Sequence, residues 1–341
     1  MREYSVAIAG ATGAVGTEFL NLLQKRQFPL NSLRLLASER SAGRRITFRG
    51  RDHEVRVLSE DSFEGIDIAF FSAGASRSRQ FAPAAVRAGA LVIDNSSAFR
   101  MDPSVPLVIP EINPEDIDWH QGIIANPNCS TIILLMAVAP LRRLAPIRRL
   151  VVSTYQAASG AGAQAMEELV EQTKQALRGE EPTPRVFPHP IAFNLFSHNS
   201  RIDADGCNEE ERKMVNEARK ILHDDGLRVT ATCVRVPVLR AHSESVNVEF
   251  VGRRPSVEQV RRALEEFPGV RVVDDREANR FPMPIDASGR DEVLVGRIRE
   301  DLSCETAIDL FVSGDQILKG AALNGIQIAD AWIRRRTPVP A

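Results

Sequence analysis

Between Tyr4 and Ala37 the chain reads as strand, glycine-rich turn, helix and strand, and this unit narrows the possible folds more than any other stretch. Tyr4 to Ala9 is a short apolar run that ends in Gly10-Ala11-Thr12-Gly13-Ala14-Val15-Gly16. Val15, Phe19, Leu22 and Leu23 then recur at helical spacing, and Leu33 to Ala37 is a second apolar run. Together they span about the thirty residues of a β-α-β unit. Glycines at a strand-to-helix turn let the backbone approach a pyrophosphate, whose charge the helix N-terminus holds. The pattern is G-x-x-G-x-x-G rather than G-x-G-x-x-G, so nucleotide binding is weighed against a turn that merely packs helix on strand. The second strand ends in Ala37-Ser38-Glu39-Arg40-Ser41-Ala42-Gly43. An acid there suits the ribose 2′-hydroxyl of NAD and an arginine the 2′-phosphate of NADP. Both are present, so the rule alone leaves the choice open; the hydroxyls of Ser38 and Ser41 incline it to NADP.

The pattern recurs. Ile66 to Phe71 is a strand ending in Ser72-Ala73-Gly74-Ala75-Ser76, followed by a helix to about Ala88, and Leu91 to Ile93 is a strand ending in Asp94-Asn95-Ser96-Ser97-Ala98-Phe99-Arg100. Small polar residues at successive carboxyl ends of strands suit the ligand crevice of an open α/β sheet, and equally suit helix caps.

The second informative stretch is Ile123-Ile124-Ala125-Asn126-Pro127-Asn128-Cys129-Ser130-Thr131 and the apolar run Ile132 to Val138. It places one cysteine after an Asn-Pro-Asn turn and just before a helix that must be buried. Unpaired N–H groups and partial positive charge at a helix N-terminus favour the thiolate, which is the nucleophile. Covalent chemistry on a carbonyl carbon follows; the plain alternative is a small buried core residue.

Beyond it, Arg148 to Thr154 reads as a strand leading into the Gly/Ala-rich loop Tyr155 to Gly162 and an amphipathic helix, Ala165 to Leu177. Gly179 to Asp205 is rich in Pro, His and Asn and reads as a long irregular excursion, a composition found in lids and subunit-contact loops. Glu209-Glu210-Glu211-Arg212-Lys213 opens a helix that runs to about Leu222. Glu210 and Lys213, three apart, share a face and offer an acceptor and a cation to a zwitterionic or phosphorylated substrate; acids at a helix N-terminus also serve the dipole alone. Val229 to Val236 is a strand. Its Arg235 interrupts an apolar neighbourhood, so it needs a planar anion, either a substrate carboxylate or a structural acid. His242, read as lying in a loop before the strand Val246 to Val251, is the strongest acid/base candidate among the six histidines.

Composition bounds the rest. The 341 residues suit about two domains. With 43 basic and 45 acidic residues there is no footprint of nucleic acid or membrane. The four cysteines, Cys129, Cys207, Cys233 and Cys304, are widely spaced with no C-x-x-C pair, which argues against a disulfide framework and a zinc site and fits a reducing cytoplasm. No signal peptide precedes the first strand, and no apolar run has membrane-spanning length. Arg334 to Arg336 close a helix whose dipole they complement, and the tail Thr337 to Ala341 is expected to fray.

In order along essentially the whole chain, seven motifs resemble those of the aspartate-β-semialdehyde dehydrogenases: GATGAVG at Gly10–Gly16, LASERSAG at Leu36–Gly43, DNSSAFR at Asp94–Arg100, NPNCST at Asn126–Thr131, YQAASGAG at Tyr155–Gly162, RVPVLRAHSES at Arg235–Ser245 and GDQILKGAALNGIQIA at Gly314–Ala329. FNLFSHN at Phe193–Asn199 departs from the NVIPHID-like form and is similar to the plant-like branch. The resemblance implies an α/β fold. A discontinuous NADP-binding Rossmann domain, residues 1–128 with 319–341, would join an α+β catalytic and dimerisation domain, residues 129–318, with the last helix, Lys319 to Arg334, returning to the first. It implies Cys129 as nucleophile, His242 as acid/base and Gln156 as the residue orienting the acyl intermediate. Arg235 would bind the substrate α-carboxylate and Glu210 its amino group. Arg100, Asn128 and Lys213 would hold phosphate, and Ser159 would join the substrate set. Gly10, Thr12, Gly13, Ala14, Val15, Ser38, Arg40 and Ser41 would fall on NADP, with Ser72, Gly162 and Asn324 near it.

The activity so implied is reversible, NADP-dependent reduction of L-4-aspartyl phosphate to L-aspartate-4-semialdehyde through a cysteine thioester. Inorganic phosphate takes part, and the setting is synthesis of lysine, diaminopimelate, methionine and threonine. The partners implied are a second copy, as a homodimer or within a tetramer, and neither nucleic acid nor membrane. Two alternatives stand beside this. An N-acetyl-γ-glutamyl-phosphate reductase runs the same chemistry on a longer, acylated substrate, against which Arg235 with Glu210 favours a free amino acid. A non-catalytic nucleotide-binding paralogue would be expected to have lost Cys129 or His242.

Overall fold

A computed structural model describes residues 2–336; the tail expected to fray lies outside the described residues. The chain divides into two compact units, one formed by the residues up to 128 together with those from 321 onward, the other by residues 129–320.

The first unit is built on a parallel sheet. β1 (Tyr4–Ala9) is almost wholly buried, as expected of a strand covered by helices on both faces. α1 (Ala14–Lys25) turns the chain back, and β2 (Leu30–Ala37) pairs parallel to β1 with Val6 opposite Leu33 and Ala9 opposite Leu36. β3 (Arg45–Phe48) and β4 (Arg51–Val57) form an antiparallel hairpin whose second strand extends the sheet beyond β2. On the other side of β1 come β5 (Ile68–Phe71), then β6 (Leu91–Asp94) after α2 (Ala75–Arg87), and β7 (Ile123–Ala125). The order β3-β4-β2-β1-β5-β6-β7 reverses direction between β1 and β5. In such a sheet a ligand crevice opens outside the carboxyl ends of those two strands, here at Gly10 and Ser72. The last helix, α8 (Leu323–Arg336), rejoins this unit and packs on α1 and β6.

The second unit is α+β. Its strands are β8 (Ile147–Gln156), β9 (Phe196–Ser197), β10 (Arg228–Arg235), β11 (His242–Phe250), β12 (Val270–Val272), β13 (Val293–Glu300) and β14 (Ala307–Gly314), in the order β12-β13-β14-β11-β8-β10-β9. β8 and β10 run parallel, whereas β11 is antiparallel to both β8 and β14. The helices are α3 (Cys129–Val138), α4 (Ala163–Leu177), α5 (Glu209–Leu222), α6 (Val257–Glu265) and the short α7 (Pro284–Ala287). Every residue of α3 after Cys129 is buried, the requirement of a helix that is apolar all round; it packs against α5, β11 and β14. α5 begins with a capping box: the Asn208 side chain accepts from the Glu211 N–H, and the Glu211 carboxylate accepts from the Asn208 N–H, each at 2.9 Å.

Three expectations need correction. His242 is not in a loop but is the first residue of β11, fully buried. The polar run His-Ser-Glu-Ser hides a strand because both of its faces are covered at that end, and Ala241, at φ 72°, makes the turn into it. Cys129 does not precede its helix but opens it. The last helix does not begin at Lys319: Leu318–Ala322 form a π-helical turn, and regular α-helix starts at Leu323.

Candidate active site

Strand pairing in the second unit sets three polar side chains side by side. Arg235 closes β10 and stands opposite Gln156, which closes β8; next along the sheet, β11 opens with His242. The three are buried, with exposures of 2%, 1% and 0% for Arg235, Gln156 and His242. Burying so much polarity is tolerable only when the groups are hydrogen-bonded or reserved for a ligand.

Most are hydrogen-bonded. The Gln156 Nε2 amide donates to Ser130 Oγ at 3.0 Å on the first turn of α3, and to Glu210 Oε1 at 3.4 Å on the first turn of α5. Glu210 in turn meets Lys213 Nζ at 3.4 Å, and Lys213 also pairs with Glu209 at 3.0 Å. Gln156 therefore ties together the two helix N-termini that carry Cys129 and the Glu210–Lys213 face. Arg235 Nη1 donates to the Ala157 carbonyl at 2.6 Å and Nη2 to His198 Nε2 at 3.0 Å, while its guanidinium lies 5.5 Å from the centre of the Phe187 ring. Its Nε has no hydrogen-bond partner, and among the described residues no carboxylate pairs with it. Among the described residues a structural ion pair, the alternative for this arginine, is absent. Burial lowers the Arg235 pKa, against which the Cys129 thiolate and Glu210 carboxylate act.

His242 is held in one tautomer. The Ala157 backbone N–H donates to Nδ1 at 3.0 Å. An amide N–H only donates, so Nδ1 is bare and the neutral ring carries its hydrogen on Nε2. That nitrogen has no partner of its own. Burial first, then the charge of Arg235, hold the His242 pKa well below its ordinary value. The ring thus offers a hydrogen-bond donor at Nε2 from a buried position. Gly160 makes room for it: a Cβ there would stand 3.0 Å from His242 Cε1 and 3.1 Å from Arg235 Nη1. Close approach of backbone to both side chains is the reason for glycine.

Cys129 is half-buried, and a Cβ on Gly320 would come within 2.9 Å of its own Cβ. None of the four cysteines is in a disulfide. Cys233, by contrast with Cys129, is fully buried, and desolvation pushes its thiol pKa far up. Ser159 is buried and accepts from Gln316 Nε2, whose Oε1 accepts from the Ala241 N–H at 2.9 Å.

In the first unit Gly10, at φ 93°, lies so close to the end of β5 that a Cβ would be 2.3 Å from the Ser72 carbonyl oxygen. Thr12, Gly13, Ala14 and Val15 follow at the start of α1, and no side chain caps that end, so its first N–H groups remain available to an anion. Ser41 is buried and accepts from Thr12 Oγ1 at 3.3 Å; Ser38 and Arg40 flank it, Arg40 exposed. Arg100 is buried and donates to the carbonyls of Asn126 at 2.9 Å and Asn95 at 3.0 Å. Asn324 is buried with its amide donating to Val108 O at 2.9 Å and Asn126 Oδ1 at 2.6 Å. Gly162, at φ 99°, caps the start of α4 and belongs to the second unit with Lys213, whereas Arg100 and Asn128 belong to the first.

Sequence reasoning passed over His198, Ser130 and Gln316. All three lie inside quoted motifs, but their partners are remote in the chain. It also passed over Glu244, which stands two residues beyond His242 on β11, fully buried, with neither oxygen hydrogen-bonded. Desolvation alone raises its pKa well above the ordinary value. A carboxyl that is protonated in the fold but ionised when unfolded loses stability as pH rises from 4.5 toward the folded pKa. Glu244→Gln keeps the shape without that loss. Its melting temperature is expected to exceed the parent's at pH 8, with the gap closing toward pH 4.5; a constant gap across this range would refute the assignment.

The chain matches two family models: "Semialdehyde dehydrogenase, NAD binding domain" over residues 5–120, and "Semialdehyde dehydrogenase, dimerisation domain" over residues 138–319. It is 56% identical over 330 residues to the aspartate-semialdehyde dehydrogenase of a Synechocystis species, covering 97% of each chain. Among solved structures it is similar to aspartate semialdehyde dehydrogenase II of Vibrio cholerae complexed with ASA, with TM-score 0.94, 44% identity and coverage of 99% of this chain and 100% of that one. It is also similar to the Candida albicans enzyme with NADP, with TM-score 0.76, 27% identity and coverage of 96% and 98%. The two domain matches and the near-complete coverage agree, and the chain belongs to the aspartate-semialdehyde dehydrogenase family.

Proposed function

We propose that this protein interconverts L-4-aspartyl phosphate and L-aspartate-4-semialdehyde with NADP through a thioester on Cys129, in synthesis of the aspartate-derived amino acids. The observation that carries the reading is the buried guanidinium of Arg235, without a protein carboxylate, on the sheet end shared with Gln156 and His242. Cys129 attacks the acyl phosphate carbon and phosphate departs. NADPH, when bound, would supply the hydride that reduces the thioester; the C–S bond of the resulting thiohemiacetal then breaks, which releases the aldehyde and restores the Cys129 thiolate. His242 Nε2–H donates to the oxygen on which negative charge develops, from a fully buried position. Gln156 holds the acyl group in register through the network that joins α3 and α5. Arg235 takes the α-carboxylate and Glu210 the ammonium, a pairing that suits a free amino acid better than an N-acylated one. Arg100, Asn128 and Lys213 supply the phosphate contacts, with Ser159 beside the substrate.

The dinucleotide falls to residues 1–128 with 319–341, and catalysis and dimer formation to residues 129–318. Gly10, Thr12, Gly13, Ala14 and Val15 fit a pyrophosphate, since the cradle between Gly10 and Ser72 is one that a Cβ would fill. Ser38, Arg40 and Ser41 provide hydroxyls and a cation for a 2′-phosphate, with Ser72, Gly162 and Asn324 as the outer cofactor set. A homodimer, alone or within a tetramer, accords with the dimerisation-domain match. No helix among the described residues is long and apolar enough to cross a membrane, and the cysteine usage accords with the cytoplasm.

The test is phosphate-dependent reduction of NADP by aspartate semialdehyde. Activity is expected to require phosphate and to favour NADP over NAD, and N-acetylglutamate semialdehyde is expected to be a poor substrate. Arg40→Ala is expected to raise the KM for NADP about tenfold or more, the effect of one charge-assisted contact, while the KM for NAD hardly moves. An enzyme that already prefers NAD would assign the choice to Glu39 instead.

A further inference from the structure

The excursion from Gly179 to Asp205 is irregular apart from β9, yet it is firmly tied down. Glu168 of α4 accepts from the backbone N–H groups of Arg185 at 3.1 Å, Phe187 at 3.3 Å and Val186. Gln172, one turn on, accepts from the N–H groups of Ile191 at 2.7 Å and Ala192 at 3.3 Å and donates to the Thr183 carbonyl at 3.2 Å. Phe187, fixed in this way, underlies the Arg235 guanidinium and meets Phe196 edge-on at 5.8 Å. β9 then adds to the edge of β10, with Phe196 opposite Arg235, and the His198 N–H donates to Cys233 O at 2.8 Å. The excursion thereby carries two rings to the guanidinium, the Phe187 phenyl and then the His198 imidazole.

The imidazole's chemistry is fixed by its partner. Arg235 Nη2 lies 3.0 Å from His198 Nε2. A guanidinium has donors only, so Nε2 accepts and the neutral ring carries its hydrogen on Nδ1. Nδ1 lies 3.0 Å from Ser200 Oγ, to which it donates. The Ser200 N–H, 3.2 Å from the same nitrogen, would suit the other tautomer, but the guanidinium decides the matter. Ser200 Oγ also accepts from the Glu210 N–H at 3.2 Å. Burial holds the His198 pKa at about 4, so the ring stays neutral near pH 7. Ala157 O on Nη1, and His198 Nε2 with the more distant Asn199 Oδ1 at 3.5 Å on Nη2, are thus all neutral acceptors. They orient the guanidinium without cancelling its charge, as a carboxylate in either place would.

We propose that His198 is a positioning residue that fixes Arg235 in the orientation that takes the substrate α-carboxylate, linked through Ser200 to the N-terminus of α5, which carries Glu210. The inference rests on the reading of Arg235 as the carboxylate-binding group. The test compares L-aspartate semialdehyde with 3-aminopropanal, which has the same aldehyde and amine but no carboxylate, in the full-length enzyme. The parent is expected to prefer aspartate semialdehyde strongly. His198→Ala is expected to lower that preference, as a ratio of kcat/KM values, roughly tenfold to a hundredfold, the span of one hydrogen bond to a charged group. The loss should sit in the KM for aspartate semialdehyde, with the KM for NADP and the melting temperature near parental. His198→Gln, which restores an acceptor, should recover most of it. Ser200→Ala should lower the ratio by about threefold, a weaker neutral bond, and gives a second reading should His198→Ala not fold. An unchanged ratio, or an equal fall on both substrates in step with melting temperature, overturns the inference alone. A parent that does not prefer aspartate semialdehyde overturns the reading of Arg235, and the inference with it.

Discussion

Cys129→Ala is expected to eliminate turnover while the protein still folds and binds NADPH. The thiolate forms the only covalent link in the proposed reaction, and losing a nucleophile in enzymes of this kind costs at least about four decades in kcat. The fold does not depend on it, because the apolar surface of α3 begins one turn further on, at Ile132 and Ile133. Steady-state rates in the phosphate-dependent direction, with fluorescence titration of NADPH, measure the two halves of the claim. Iodoacetamide supplies a third reading. Cys129, at the head of a helix, should label well before Cys233, whose thiol is buried with a raised pKa, and before Cys207 and Cys304. Turnover in the alanine variant within a hundredfold of the parent would sink the assignment.

Arg235→Lys is the second large effect. Lysine keeps the charge but cannot present a planar fork. In the parent, two nitrogens are held by Ala157 O and His198, and Nε has no protein partner. The face that remains is suited to two parallel bonds to a carboxylate. Losing a buried charge-assisted contact costs on the order of 2–5 kcal/mol, or roughly 1.5 to 3.5 decades in kcat/KM. The variant is expected to fold and to bind NADP normally. Measuring kcat/KM and melting temperature on the same protein separates the possibilities: near-parental kinetics, or a defect that follows unfolding, would remove Arg235 from the site.

The parts legible in the sequence are those where chemistry and local geometry coincide. The turn at Gly10–Gly16 announces itself because strand, glycines and helical spacing are contiguous, and the structure sets that turn against Ser72. The helix after Asn128 is equally plain, since nothing but burial explains Ile132 to Val138. Arg235 and Glu210 could be singled out as a charge among apolar residues and an acid at a helix start, but what each touches could not. His242 was misplaced by the same limit. Its strand carries polar residues because neighbouring strands and helices cover both faces, and periodicity does not register such cover. The hairpin of β3 and β4, and the strands β12 to β14, gave no motif to read. The pairing of Arg235 with His198 spans a proline-rich excursion, and no spacing rule predicts which residue of such a segment arrives where.

The way α4 holds that excursion has a consequence for how this region tolerates change over time. Glu168 and Gln172 grip backbone N–H groups of residues 185–192, not their side chains. Any non-proline residue supplies the same N–H. Substitutions at Arg185 or Val186 should therefore drift with little penalty, whereas Phe187 is restrained by the guanidinium above it. The shape of the segment is written mainly in two residues of a neighbouring helix. A descendant enzyme with an unrecognisable sequence in this excursion would keep its course as long as that glutamate and glutamine persisted one turn apart.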